Sequence, residues 1–170
     1  MCRVPAALGL VIMVALTACA GRRIENGVYH STKGYRVVLP SPAWVVADES
    51  RADLELRHHG GAAAMLANAE CDRQAAARSR DLLARQLLIG IRDRATTTQE
   101  EISLNGRRAV HRVLDGRLAG SDEPTRIEAY VMTDERCVYD FVYVAPPPSF
   151  ESWRPDFLRF VESFERERAD

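Results

Sequence analysis

Leu54 and Leu56 alternate with Glu55 and Arg57, the two-residue period of a half-buried strand. The same alternation, or a run of β-branched and aromatic residues, recurs along most of the chain. Residues 28–30 and 35–39 read as strands joined around Lys33-Gly34. Pro40 and Pro42 end the second of them, because proline gives no N–H to a ladder. Trp44 follows as a large apolar anchor. His58-His59-Gly60-Gly61 is a turn signal. The next stretch, AAAMLANAEC, is rich in helix-forming Ala and Leu, yet its place after a Gly-Gly turn makes it a hairpin partner strand.

From Asp72, a helix-capping residue, the period changes. Ser79, Leu82, Leu83, Gln86 and Leu87 fall at helical spacing, and Gly90 can end a helix that runs to Ile89. Four strands should follow, over residues 95–104, 109–118, 126–133 and 137–144. Asn105-Gly106 joins the first two as a hairpin, and residues 120–124 form a loop. The last strand, rich in Val, Tyr and Phe, is expected at the centre of its sheet. Pro146-Pro147-Pro148 then stiffens an extended connector and Ser149 can cap what comes next. Phe157, Phe160, Val161 and Phe164 give a closing helix one apolar face. The pattern predicts an α+β fold: an antiparallel β-sheet flanked by helices on its faces.

The start of the chain is different. Met1-Cys2-Arg3 precedes an apolar run over residues 4–16, too short for a comfortable span of about 20 residues. The run closes in LTACAG. Leu16, two small residues and Cys19 resemble the lipobox of a bacterial lipoprotein signal. The resemblance implies diacylglycerol transfer to the Cys19 thiol, cleavage between Ala18 and Cys19, and acylation of the new amino group. Two or more acyl chains hold a domain stably on a membrane, where one does not. Ala20 stands where Gram-negative lipoproteins retained at the inner membrane commonly carry Asp, which implies the outer membrane, facing the periplasm. The alternative is an ordinary secretory signal with Cys19 incidental. Residues 1–18 are thus a signal, 19–26 a lipidated tether, 27–166 a single globular domain and 167–170 a tail.

Composition sharpens this only in places. About 150 residues remain after the leader, the size of one domain with a real core. Lys and Arg number 23 against 24 Asp and Glu, interleaved, so no like-charge block marks a nucleic-acid surface. Lys33 is the only lysine; the codon usage of a GC-rich genome accounts for that better than phosphate binding does. Cys2 leaves with the signal and Cys19 takes lipid. Cys71 and Cys137 remain, and outside the cytosol they are expected to form a disulfide, the alternative being two buried thiols too far apart to meet.

The stretches YRVVLPSPAW, LLIGI, CVYDFVYVAPPPSF and FLRFVESF, taken together, resemble the PsbP-like α/β/α sandwich, and in particular bacterial envelope lipoproteins that carry it. The resemblance spans most of the mature chain. It implies a domain without catalytic residues that serves binding, assembly or trafficking, and no metal or photosystem site carries over residue by residue.

Candidate chemistry is sparse. His30, His58, His59 and His111 stand at no metal-ligand spacing. No Gly-x-Ser-x-Gly elbow and no phosphate loop occurs, and Cys nucleophilicity would need a reduced thiol near His111. Tyr139, Phe141 and Tyr143 share one strand face and, with His111, could line a ligand groove, though core packing explains them better. The expectation is a non-enzymatic, membrane-anchored lipoprotein that uses no cofactor and binds an unidentified envelope protein. The alternative is a carrier or sensor that holds a small apolar or metal ligand between sheet and helix.

Overall fold

The computed structural model describes residues 23–61 and 63–167. The expected signal, residues 1–18, and Cys19 lie outside the described residues. A small antiparallel sheet holds, in order, β1 (Arg23–Glu25), β2 (Val28–Ser31), β3 (Tyr35–Val38) and β11 (Glu165–Arg166). A larger antiparallel sheet has the order β4 (Trp44–Val46), β5 (Leu54–His58), β6 (Ala64–Glu70), β10 (Val138–Ala145), β9 (Thr125–Thr133), β8 (Arg107–Arg117) and β7 (Arg92–Leu104). Helices α1 (Arg73–Ala76) and α2 (Arg80–Leu87) cover one face of it, and α3 (Phe150–Glu162) the other.

Strand β10 sits fourth of seven, as its near-continuous apolar run predicts. Its alternation sorts two cores. Tyr139, Phe141 and Tyr143 point toward α3, where Tyr143 stacks on Phe157 at 5.3 Å and Phe141 meets Phe160 edge-on at 5.9 Å. Val138 points the other way, into a cluster with Ala75, Leu83 and Ala84 of the paired helices. Tyr29, Tyr35 and Val37 of the small sheet join the α3 core, with Tyr35 5.8 Å from Phe164. Each such aromatic side chain, fully buried, contributes about 1.5–3 kcal/mol.

The β7–β8 turn is the expected one: Asn105 and Gly106 both take positive φ, 52° and 73°, the backbone that matches the twist of a two-residue hairpin. Strand β7 is an edge, long and polar at almost every position from Arg92 to Glu101, and its charges discourage further pairing.

Four expectations need correction. The single helix from Asp72 to Ile89 is two helices. Asp72 Oδ1 accepts from Gln74 N and Ala75 N at 2.8 Å, capping α1, and Ser79 Oγ accepts from Leu82 N at 3.2 Å, capping α2. A serine hydroxyl competes for backbone N–H groups, so it begins a new helix more readily than it continues one. The Pro-rich connector is not extended, since Pro147–Ser149 forms a 3-10 turn leading directly into α3. Ser149 caps nothing; its hydroxyl donates back to Pro146 O at 3.2 Å. Finally, the tether does not reach residue 26. Residues 23–25 already pair with 28–30 across Asn26-Gly27, both at positive φ.

Candidate functional site

Among the described residues, the charged side chains buried in the interior are His111, Arg112 and Glu128. Two of them form one cluster. On β9 the inward positions are Glu128, Tyr130 and Met132, so alternation alone drives a carboxylate under α3. Arg154, from the first half of α3, grips it in a fork: Nε donates to Oε2 at 2.7 Å and Nη2 to Oε1 at 2.9 Å. The Tyr130 hydroxyl donates to the same Oε1 at 3.0 Å. His111, opposite Tyr130 on β8, stacks on that ring at 4.4 Å. Its Nε2 lies 2.8 Å from Glu128 Oε1, and its Nδ1 lies 2.9 Å from Glu100 Oε1 on the edge strand.

Two carboxylates accept from one imidazole, so both ring nitrogens donate and the ring carries a proton on each. Burial opposes that charge, but the hydrogen bonds to Glu128 and Glu100 outweigh it and hold the His111 pKa above its ordinary value. Burial likewise pushes Glu128 up, and the His111 and Arg154 bonds overcome it, holding the carboxyl below its usual range. The cluster is a closed circuit that ties β7, β8 and β9 to α3. Neither imidazole nitrogen is free to take a proton from a substrate. The carboxylates sit at opposite ends of the ring, and among the described residues no group of three or more His, Cys, Asp or Glu converges as a metal site.

The predicted site residues fall in three places. Cys71 and Cys137 are joined in a disulfide that links the end of β6 to the start of β10. A concavity of about 480 Å³ opens beside it, lined also by Ser31, Lys33, Arg136 and Arg166. Two carboxylates sit behind this lining. Asp53 takes the Lys33 ammonium at 2.6 Å, the Tyr35 hydroxyl at 3.0 Å and Ala69 N at 2.9 Å. Asp134 takes the backbone of Arg136 and Cys137 and the Tyr139 hydroxyl, each at 2.8 Å, with Arg166 at 3.1 Å. Its pKa is lowered: burial opposes this, and the two backbone N–H bonds prevail.

Tyr139, Phe141 and Tyr143, read as a possible groove, are instead fully buried beneath α3. The aromatic face of that helix fills the space a ligand would need, so sheet and helix meet in a packed layer. The other histidines stand apart. His30 bonds Glu167 at 2.5 Å, and His58 packs between Trp44 and Trp153 with His59 stacked on it.

Glu128, Arg154, Glu100 and Tyr130 escaped the sequence reading, although a signal existed. Glu128 interrupts the apolar residues Ile127 to Met132 at an inward position, and Arg154 lies one turn before Phe157 on the apolar face of α3.

The solution structure of the cyanobacterial PsbP protein (CyanoP) from Synechocystis sp. PCC 6803 superposes with a TM-score of 0.62 at 15% identity, over 89% of this chain and 98% of that one. The chain has a PsbP-like fold. LpqN, described as involved in cell envelope biogenesis of Mycobacterium tuberculosis, matches the PsbP-like domain with a TM-score of 0.56 at 12% identity, over 82% of this chain and 88% of that one. PA94 from Pseudomonas aeruginosa, a protein of unknown function described as a putative regulator, gives 0.51 at 12% identity, over 84% and 97%. At these identities the likeness is one of fold. No family model matches the chain, and the curated proteins hold no significant match.

Proposed function

We propose that the chain is a lipoprotein of the cell envelope, anchored through Cys19, whose PsbP-like domain binds a protein partner and performs no catalysis. One observation carries the reading: the LTACAG stretch resembles a lipobox and places Cys19 only four residues before β1, which starts at Arg23. That spacing suits a domain held close to a membrane. The Cys71–Cys137 disulfide agrees with an oxidising compartment, and one structural neighbour is an envelope-biogenesis protein. The non-catalytic part rests on the chemistry of the buried cluster, in which the imidazole and the buried Glu128 carboxylate are bonded to each other and to Glu100, Arg154 and Tyr130. Crosslinking in intact cells, followed by purification from membranes, tests the binding role. The reading expects a specific envelope protein, captured by the wild type and lost when residues 27–166 are replaced by an unrelated domain. Equal recovery by both would contradict it.

A further inference from the structure

We propose that the end of the domain where the tether enters is a membrane-docking face, with its arginines and single lysine set against the phosphates of anionic phospholipids. The inference deepens the anchored reading above and rests on it.

Placement comes first. Arg23 pairs with His30, the neighbour of Ser31, and residues 31–34 line the concavity beside the disulfide. The four peptide steps from Cys19 to Arg23 reach at most about 14 Å. An anchored chain therefore holds this end of the sheet at the bilayer.

Charge supplies the second observation. At the far end of the large sheet three arginines are neutralised locally, Arg92 by Asp122 at 2.9 Å, Arg117 by Asp93 at 2.5 Å and Arg126 by Asp115 at 2.8 Å, while the exposed Arg94 makes no ion pair among the described residues. At the tether end Arg73, Arg78, Arg108 and Arg136 are exposed, and among the described residues they make no ion pair. The register places the elements that carry or lead into Arg73, Arg108 and Arg136 together. Val138 faces both Glu70 and Thr133, and Ala109 faces Met132, so the end of β6, the β9–β10 turn and the start of β8 lie side by side. Lys33 and Arg166 are paired, but their partners Asp53 and Asp134 lie behind them, each 13% exposed against 37% and 38% for the cations. Glu70, Asp72, Glu135 and Glu162, with Asp48 and Glu49 of the β4–β5 loop, are exposed acids interspersed at this end, and Asp72 is committed to the N-terminus of α1.

The spread of these cations selects the ligand. Four adjacent strands at about 4.8 Å spacing place them across about 14 Å, too far apart to converge on one phosphate. A layer of headgroups meets all of them at once, and guanidinium forks suit its phosphates.

Lys33 makes the test simple, because it is the only lysine and one amine reports the face. The lipid-bearing protein is reconstituted into vesicles of phosphatidylcholine alone or mixed with phosphatidylglycerol, and acylation of Lys33 is followed by mass spectrometry. The expected result is labelling slowed about threefold or more by phosphatidylglycerol. The difference should vanish near 1 M salt, where the Debye length falls to about 3 Å. It should also shrink in an Arg108→Glu, Arg136→Glu variant with unchanged thermal unfolding. Equal rates in both vesicles, with the protein still membrane-bound, overturn the docking face and leave the anchor standing. A protein that leaves the vesicles overturns the anchor and the docking face together.

Discussion

His111 Nε2 and Glu128 Oε1 meet at 2.8 Å inside the domain, with the ring pressed flat on Tyr130. The pair makes folding depend on pH in two directions. The His111 pKa is raised in the folded chain. Its contribution is complete below the unfolded value of about 6.5 and is lost as pH rises through the folded one. Glu128 is depressed, so its contribution is present above about 4.5 and is lost as pH falls through the folded value. Thermal unfolding measured against pH should fall on the alkaline side, and His111→Gln should flatten that fall. An unchanged alkaline slope in the variant would sink the assignment of the doubly protonated ring.

Removing the carboxylate is a harsher test. Glu128→Ala leaves Arg154 and the imidazolium facing a dry site without a counter-charge, at a cost of about 3 kcal/mol in denaturant unfolding. Arg154 is 31% exposed and water can partly replace its charge, so Arg154→Ala should cost less than Glu128→Ala. The reverse order would contradict the proposed circuit.

Asp140 offers the opposite sign. It lies half-buried on the β10 face turned away from α3, and its pKa is pushed up to about 7 by burial and by Glu70. An acid with a raised folded pKa weakens the fold as pH climbs from its unfolded value near 4 toward 7. Asp140→Asn should therefore stabilise the protein above pH 7 by about 1–2 kcal/mol, with the gain disappearing below pH 4. A destabilising Asn at alkaline pH would mean that the carboxylate has a partner worth more than its burial costs.

The disulfide closes a loop of 66 residues. Replacing Cys71 and Cys137 together by Ser should lower unfolding stability by about 2–4 kcal/mol, and reduction of the wild type should reproduce that loss. Stability indifferent to reductant would show that the bridge adds nothing to the fold.

Much of this architecture was legible in the residue pattern, and particular residues show why. Asn105-Gly106 is a local signal, needing only two positive φ values, and it read correctly. The apolar run at 138–145 announced a central strand because only a strand covered on both sides tolerates it. What failed was local competition and distant pairing. Ser79 sits at a helical spacing and also caps, and only the path of the chain decides which. Proline stiffness at 146–148 reads as extended or turning with equal ease. Glu128 and Arg154 are 26 positions apart on different elements, so their fork appears only when α3 lies across β9. The second sheet was hidden for the same reason: β11 is two residues long and pairs with β3 from the far end of the chain.

The central claim is that Cys19 carries lipid and places all that follows outside the cytosol. Intact mass of the protein purified from the membrane fraction of its own cells tests it most directly. The account predicts a chain beginning at Cys19 and heavier than its amino acids by a diacylglyceryl group and an acyl chain. A soluble chain with residues 1–18 still attached and Cys19 unmodified would contradict it.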